Sequence, residues 1–293
     1  MILNFEQYKE RWNVHSDSMI KPGLESIKRA LTLLHNPQEK LQVVHVAGTN
    51  GKGSTIAFLE QMALNHGLSV GKFMSPCVVD VHDQIQINGK PITQKQMDVV
   101  FQQMKHAGIS GLLTDFELLT CAAFLHFANE QVDLVLLETG LGGLEDSTNV
   151  VNPLVSIITS IALEHTQILG HTIKQIAQHK AGIVKYGKPV VIGKLPEEAL
   201  TVVKQKAHIQ QSPLYAYDET FTVEADEQGE KYINFKEKII IEKLKRKLLG
   251  AHQGENMALA ITAFIEMAKI LQIEVQIDLV RQAVSCTSLP SRF

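Results

Sequence analysis

The stretch His45-Val46-Ala47-Gly48-Thr49-Asn50-Gly51-Lys52-Gly53-Ser54-Thr55 decides the fold. Before it, residues 41–47 form a short apolar run that reads as a strand. After it, residues 55–66 place Ile56, Leu59, Met62 and Ala63 at helical spacing. Strand, glycine-rich loop and helix together make the setting a phosphate cradle requires, because a helix N-terminus presents unpaired N–H groups to an anion. Gly48, Gly51 and Gly53 let the backbone turn tightly and aim its amides inward. Lys52 would lie against the outer phosphates of a nucleotide as a point charge. Ser54 or Thr55 would cap the helix or reach a magnesium ion. The strict Walker spacing is not met: its first glycine would fall at Val46, and Gly53 separates Lys52 from Ser54. A plain glycine turn with a helix cap is the competing reading. A dinucleotide fingerprint does not fit, since Gly48, Gly51 and Gly53 are wrongly spaced for Gly-x-Gly-x-x-Gly.

Outward from this loop, short apolar runs alternate with helical patterns. Strands are predicted at 69–73, 132–137, 155–159 and 189–192, and helices at 97–107, 116–129, 173–184 and 197–207. Val132-Asp133-Leu134-Val135-Leu136-Leu137 is nearly continuous in apolar residues, the mark of a strand buried on both faces. Such alternation predicts a P-loop α/β fold: a mostly parallel sheet with helices on both faces. Near 213 the character changes. Strand candidates at 215–217, 221–225, 232–235 and 239–241, separated by polar turns, predict a small antiparallel sheet over about 213–243. Helices resume at 255–271 and 278–285.

Composition excludes several classes. The 293 residues are 45% hydrophobic and 20% charged, with 28 Lys and Arg against 31 Asp and Glu, a net charge of −3. Binding nucleic acid through bulk positive charge is not expected. No apolar run approaches the roughly 18 residues of a membrane span, and residues 1–12 lack the layout of a secretory signal. Cys77, Cys121 and Cys286 are odd in number and far apart, so reduced thiols in a cytoplasmic protein are expected.

Open parallel sheets bind ligands at the carboxyl ends of their strands. Three such ends carry candidates. Ser75-Pro76 follows the second strand; its hydroxyl could ligate a metal, but taken alone an ordinary Ser-Pro turn is the better reading. Glu138 follows the 132–137 strand and precedes Gly140, Gly142 and Gly143. It is a candidate magnesium ligand, since that ion prefers hard oxygen donors, or else a loop glutamate. Glu164-His165-Thr166 follows the 155–159 strand. Taken alone, His165 reads as structural or exposed, and Lys180 as a solvated surface lysine.

Taken together, these residues resemble the folylpolyglutamate synthase and dihydrofolate synthase family of the Mur-ligase superfamily. The matching stretches are residues 45–55, Ser75-Pro76 with IQING at 85–89, ETGLGGLEDSTNV at 138–150, LEHTQILG at 163–170, HKAGIVK at 179–185 and LGAHQGENMALA at 249–260. The resemblance spans essentially the whole chain. It implies an ATP-dependent ligase of the tetrahydrofolate:L-glutamate type, with dihydrofolate synthesis as a further activity. ATP phosphorylates a carboxylate of the pterin substrate, and the amine of glutamate attacks the acyl phosphate. Carried over by position, Gly48, Thr49, Asn50, Gly51, Lys52, Gly53, Ser54 and Thr55 bind the triphosphate, and Asn256 and Arg292 contact the nucleotide. Ser75, Glu138 and His165 match magnesium ligands. Lys180 matches a lysine carried as a carbamate, which would serve a second magnesium ion. Lys52, Lys180 and His165 are the implied catalytic set, and Ser75, Pro76, Cys77 and Asp83 fall on the folate side.

Some positions depart from the family pattern. Cys77 stands where many members have histidine, His82-Asp83-Gln84-Ile85 replaces Asn-Glu-Arg-Ile, and Leu144 replaces an arginine. These changes lie on the folate side rather than the phosphate side. The family continues past Pro-x-Arg-Phe into a second, smaller domain with much of the glutamate site. The expectation is therefore one ATP-binding domain over 1–293 with that second domain missing, acting as a monomer on ATP, folate and glutamate. A cell-wall Mur-type ligase and a truncated copy that only binds Mg-ATP are the alternatives.

Overall fold

The computed structural model describes residues 4–17 and 23–289. In chain order the helices are α1 (Phe5–Trp12), α2 (Glu25–Leu33), α3 (Lys52–Asn65), α4 (Gln94–His106), α5 (Asp115–Asn129), α6 (Thr166–Leu169), α7 (Ile173–Ala181), α8 (Glu197–Ile209), α9 (Ala251–Leu271) and α10 (Ile277–Cys286). The strands are β1 (Val43–Ala47), β2 (Val70–Phe73), β3 (Ile85–Ile87), β4 (Lys90–Pro91), β5 (Leu134–Glu138), β6 (Val155–Ile158), β7 (Val190–Ile192), β8 (Leu214–Ala216), β9 (Phe221–Asp226), β10 (Gly229–Asn234) and β11 (Ile239–Leu244). The expected class holds: mostly parallel strands with helices, plus a small antiparallel sheet. The chain divides into two units that interleave in sequence.

The first unit takes residues up to Val43, Ser69–Leu141 and Glu145–Asn152. Its strands run β4-β3-β2-β5. β2 is parallel to β5, with Phe73 opposite Leu137, and β3 returns antiparallel to β2. Every residue of β5 is buried, as its apolar run predicts. Helices α4 and α5 each start at a capping box, Thr93 with Gln96 and Thr114 with Glu117. The reciprocal side-chain bonds satisfy amides that have no partner within the helix, and they start α4 three residues before its apolar pattern does. The core includes Phe5, Phe101, Phe124 and Phe127. At Gly71 a Cβ would lie 2.7 Å from the Phe127 ring, so β2 needs a residue without a side chain there for α5 to pack. Helix α1 has too few apolar residues to be read from sequence; burial of Phe5 and Tyr8 holds it in place.

The second unit takes Val44–Leu68, Gly142–Leu144 and residues from Pro153 on. Its strands β1-β6-β7-β8 are all parallel. This corrects the placing of 215–217 in the antiparallel region: Leu214–Ala216 pairs in parallel with β7, and the antiparallel sheet comprises β9, β10 and β11. Residues 214–216 continue the alternation because α8 precedes them and returns the chain to the same sheet direction. Helix α9 is apolar on nearly all sides, from Met257 to Ala268, and packs on α3, β6, β7 and β9. It begins at Ala251 rather than at 255. A polar cluster joins it to the strands around it. Tyr215 Oη donates to Glu237 Oε1 at 2.9 Å, and Lys269 Nζ pairs with Glu237 at 2.6 Å and Glu266 at 2.7 Å. Among the described residues, no helix is long and apolar enough to cross a membrane.

Gly71→Ala will destabilise the protein by about 1–3 kcal/mol, the usual cost of overpacking. Phe127→Leu, combined with it, will recover part of that loss. Urea unfolding of the two single variants and the double variant measures this; additive losses would place the clash elsewhere.

Candidate functional site

In the second unit, β1 ends at Ala47 and the glycine-rich loop follows. Gly48 lies against β6's exit: a Cβ there would fall 1.9 Å from Thr159 Oγ1. Gly51 has φ of 86°, and a Cβ on it would fall 2.4 Å from Asn256 Oδ1. A side chain at either position would force Thr159 or Asn256 to shift, and at Gly51 it would also meet the left-handed backbone. Gly51 caps α3, which begins at Lys52 and not near Thr55. This correction matters chemically, because Lys52, Gly53 and Ser54 now form the first helical turn, whose amides have no intrahelical acceptors.

The loop is anchored to the segment after β6. Thr49 N donates to Ser160 O and Asn50 N to Ser160 Oγ, both at 2.9 Å. Thr159 Oγ1 donates to Asn50 O at 2.6 Å. The amides of Thr49 and Asn50 are thus engaged inside the protein, which leaves anion binding to the first turn of α3. Lys52 Nζ donates to Gly48 O at 2.8 Å, folding back over the loop. Thr55 is fully buried and its hydroxyl oxygen has no hydrogen-bond partner. A buried, unsatisfied hydroxyl beside a phosphate loop suits a site completed by a ligand or ion. Asn256, on α9, is buried against Gly51, and its Nδ2 donates to Gln253 Oε1 at 3.1 Å.

Lys180 is not the solvated lysine its helical position suggests. It is 1% exposed, and its Nζ lies 2.6 Å from Glu164 Oε1. The same carboxylate oxygen accepts from Thr49 Oγ1 at 3.1 Å, so Glu164 connects the phosphate loop to the buried lysine. A buried ammonium requires such a partner. Two glycines allow the end of α7 to pack closely on residues 143–144. A Cβ on Gly143 would meet His179 O at 2.7 Å, and one on Gly182 would meet Leu144 Cα at 2.4 Å. Leu144 N donates to His179 O at 2.7 Å. His165 is exposed, in left-handed backbone with φ of 44°, at the start of α6.

In the first unit, Glu138 ends β5 and is 2% exposed. One of its oxygens accepts the amide of Ser75 at 3.3 Å, so these two expected residues meet at adjacent strand ends. Pro76 is exposed and Cys77 half-buried. Asp83 is not directed at a ligand: its carboxylate accepts the amides of Val78, Val79 and Asp80. Sequence reading missed Asp146. It is buried, and it accepts Leu141 N at 2.6 Å and both the amide and hydroxyl of Thr148 at 3.0 and 2.5 Å. Burial pushes its carboxyl up against the pull of these bonds. Asp146 orders the glycine turn after Glu138; its only trace in sequence is an aspartate two residues before Thr148, an Asx-turn pattern. Arg292 lies outside the described residues.

The Mur ligase middle domain model matches residues 46–264. The chain is 42% identical over 254 residues to the dihydrofolate synthase/folylpolyglutamate synthase of Bacillus subtilis, covering 83% of this chain and 59% of that protein. It is 34% identical over 278 residues to the folylpolyglutamate synthase of Lacticaseibacillus casei, covering 90% and 65%. A solved FPGS–AMPPCP–folate complex matches with a TM-score of 0.88 at 33% identity, covering 99% of this chain and 73% of that one. The chain thus spans roughly three-fifths of the length of the two enzymes it matches. With its phosphate loop, buried lysine and glycine turn in place, it belongs to the folylpolyglutamate and dihydrofolate synthase family of Mur ligases.

Proposed function

We propose that this chain carries the nucleotide-binding and acid-binding parts of an ATP-dependent ligase that joins L-glutamate to a reduced folate. The observation that carries this is the loop at 48–55, with its lysine on the first turn of a buried helix, in a chain of this family. The relatives' activities and the folate and AMPPCP of the matched complex support the same reading.

In the proposed reaction an oxygen of the folate carboxylate attacks the γ-phosphorus of ATP, and ADP leaves. The amine of glutamate then attacks the acyl carbon and loses a proton, and inorganic phosphate leaves as the amide forms. A free carboxylate is a poor electrophile, so the phosphoryl group supplies the leaving group. Catalysis is then mainly positioning and charge neutralisation. Lys52 would exchange the loop carbonyl it now holds for the outer phosphates. The amides of Lys52, Gly53 and Ser54 face the same charge. Asn256 and Arg292 are assigned to the nucleotide, and Ser75, Pro76, Cys77 and the Asp83-braced segment to the folate.

The proposed magnesium donors are Ser75, Glu138 and His165. Among the described residues, no three His, Cys, Asp or Glu side chains form a metal cluster. Magnesium takes few protein oxygens and keeps waters and substrate phosphates, so the paired Ser75 and Glu138 suit it without a larger cluster. Bound magnesium would neutralise phosphate charge. Lys180 as an ammonium cannot be a metal ligand. To become a carbamate, its amine must lose a proton, leave Glu164 and add to carbon dioxide. The same reading includes a monomer acting in the cytoplasm.

ADP release by the purified chain with Mg-ATP and glutamate tests the reading, run separately with dihydropteroate and with a reduced folate. Release with the reduced folate supports the folylpolyglutamate activity, and release with both adds the dihydrofolate one. Mg-ATP binding with release from neither would assign nucleotide binding alone. Lys52→Ala should weaken Mg-ATP binding about 10- to 100-fold, the loss of a charge-assisted bond worth about 1.5–3 kcal/mol; unchanged affinity by calorimetry would remove Lys52 from the phosphates. Glu138→Gln should raise the magnesium concentration needed for half-maximal nucleotide binding, and an unshifted magnesium titration would exclude Glu138 as a donor.

A further inference from the structure

The segment 75–84 leaves β2 beside Glu138 and is braced by two carboxylates with different tasks. Asp83 gathers three backbone amides, from Val78 at 3.0 Å, Val79 at 2.5 Å and Asp80 at 3.3 Å. This folds the tip so that Val78 and Val79 stand 54% and 71% exposed. Asp80 faces the other way. Its carboxylate accepts the His82 amide at 2.9 Å, the His82 ring Nδ1 at 2.8 Å and Asn4 Nδ2 at 3.0 Å. The opposite ring nitrogen of His82, Nε2, lies 2.6 Å from Tyr8 Oη. With Nδ1 donating to Asp80, Nε2 is left to accept the Tyr8 hydroxyl.

Tyr8 is a rigid anchor. It is 3% exposed and its ring lies 5.6 Å from that of Phe101. The Arg11 guanidinium sits 5.5 Å from the ring centroid and is itself held by Asp98 on α4 at 2.8 Å. Trp12 Nε1 donates to the same aspartate at 2.8 Å. Through His82, then, a loop tip with two exposed valines is tied to an aromatic block formed by α1 and α4. The two ring nitrogens of His82, on opposed edges, bridge Asp80 and Tyr8 at once.

We propose that Tyr8 and His82 are positioning residues for the acid substrate, holding the 75–84 segment so that Val78 and Val79 present a fixed apolar face to the flat ring of a pteridine carboxylic acid. This rests on the folate-ligase reading above. Two exposed valines cost hydrophobic free energy in water. Here they are held out by three amide bonds to Asp83 and a side-chain relay, an arrangement that suits an aromatic ring stacking on them. Preorganisation of this kind lowers the ordering cost of binding.

Tyr8→Phe removes a single oxygen and leaves the ring packing in place. On the purified full chain, three quantities are measured for wild type, Tyr8→Phe and His82→Ala. These are the affinity for a reduced folate and for dihydropteroate by pteridine fluorescence, the affinity for Mg-ATP, and amide hydrogen exchange across 78–83. Both variants should bind the pteridines about 3- to 10-fold more weakly, the value of one net hydrogen bond. They should exchange faster across 78–83 and bind Mg-ATP within twofold of wild type. Pteridine affinity equal to wild type in both variants would overturn the proposal and leave the ligase reading intact. Parallel loss of pteridine and Mg-ATP binding with a lowered melting temperature would show a merely structural role and also overturn it. A wild-type chain that binds Mg-ATP but neither pteridine would overturn the folate reading itself, and the proposal with it.

Discussion

Two missing Cβ atoms govern the path of the glycine-rich loop in this protein. Gly48 must pass within contact of Thr159, and Gly51 must pass within contact of Asn256. A side chain at either position would force Thr159 or Asn256 to move before the loop could lie between the exit of β6 and the start of α9. Seated there, it engages its own Thr49 and Asn50 amides with Ser160. The first turn of α3 follows directly, with Lys52 at its start. The path of the glycine-rich loop is therefore a consequence of close packing as much as of local sequence.

Buried charge is handled in the same unit by short, specific pairings. Lys180 is almost completely buried, and its Nζ lies 2.6 Å from Glu164 Oε1. Glu164 reaches it while also accepting from Thr49, so a change in the charge on Lys180 would be felt at the phosphate loop. Removing one member of such a pair typically costs several kcal/mol, because the other is left buried and uncompensated. In the other unit Asp146 plays a comparable part with backbone amides as its partners. It keeps the glycine turn after Glu138 in one conformation. Polar groups inside this protein thus set the shape of turns and loops that the apolar core leaves open.

The α/β class, the phosphate loop and the candidate residues at the strand ends were legible in the sequence, because local pattern carries them. A strand buried on both faces must be apolar throughout, a loop around phosphate must be rich in glycine, and a helix must follow. Boundaries were less legible. Helix α3 starts three residues early because Gly51 can adopt the left-handed cap, and α4 does so because Thr93 and Gln96 cap each other. Residues 214–216 looked like the start of an antiparallel sheet, since short strands with polar turns follow, yet they pair in parallel with β7. The partner of a strand is a long-range choice that its own residues do not encode.

By itself, then, the sequence determined the secondary-structure alternation, the glycine-rich loop between strand and helix, and the family. Only the tertiary structure decided which side chains share an oxygen or a hydrogen bond. It turned Lys180 from a surface lysine into a buried one, gave Asp83 to the backbone rather than to a ligand, and joined Tyr8 to His82 across 74 positions of chain. The physical reason is that burial and hydrogen-bond partnership depend on distances between residues remote in sequence, which packing sets and local pattern cannot specify.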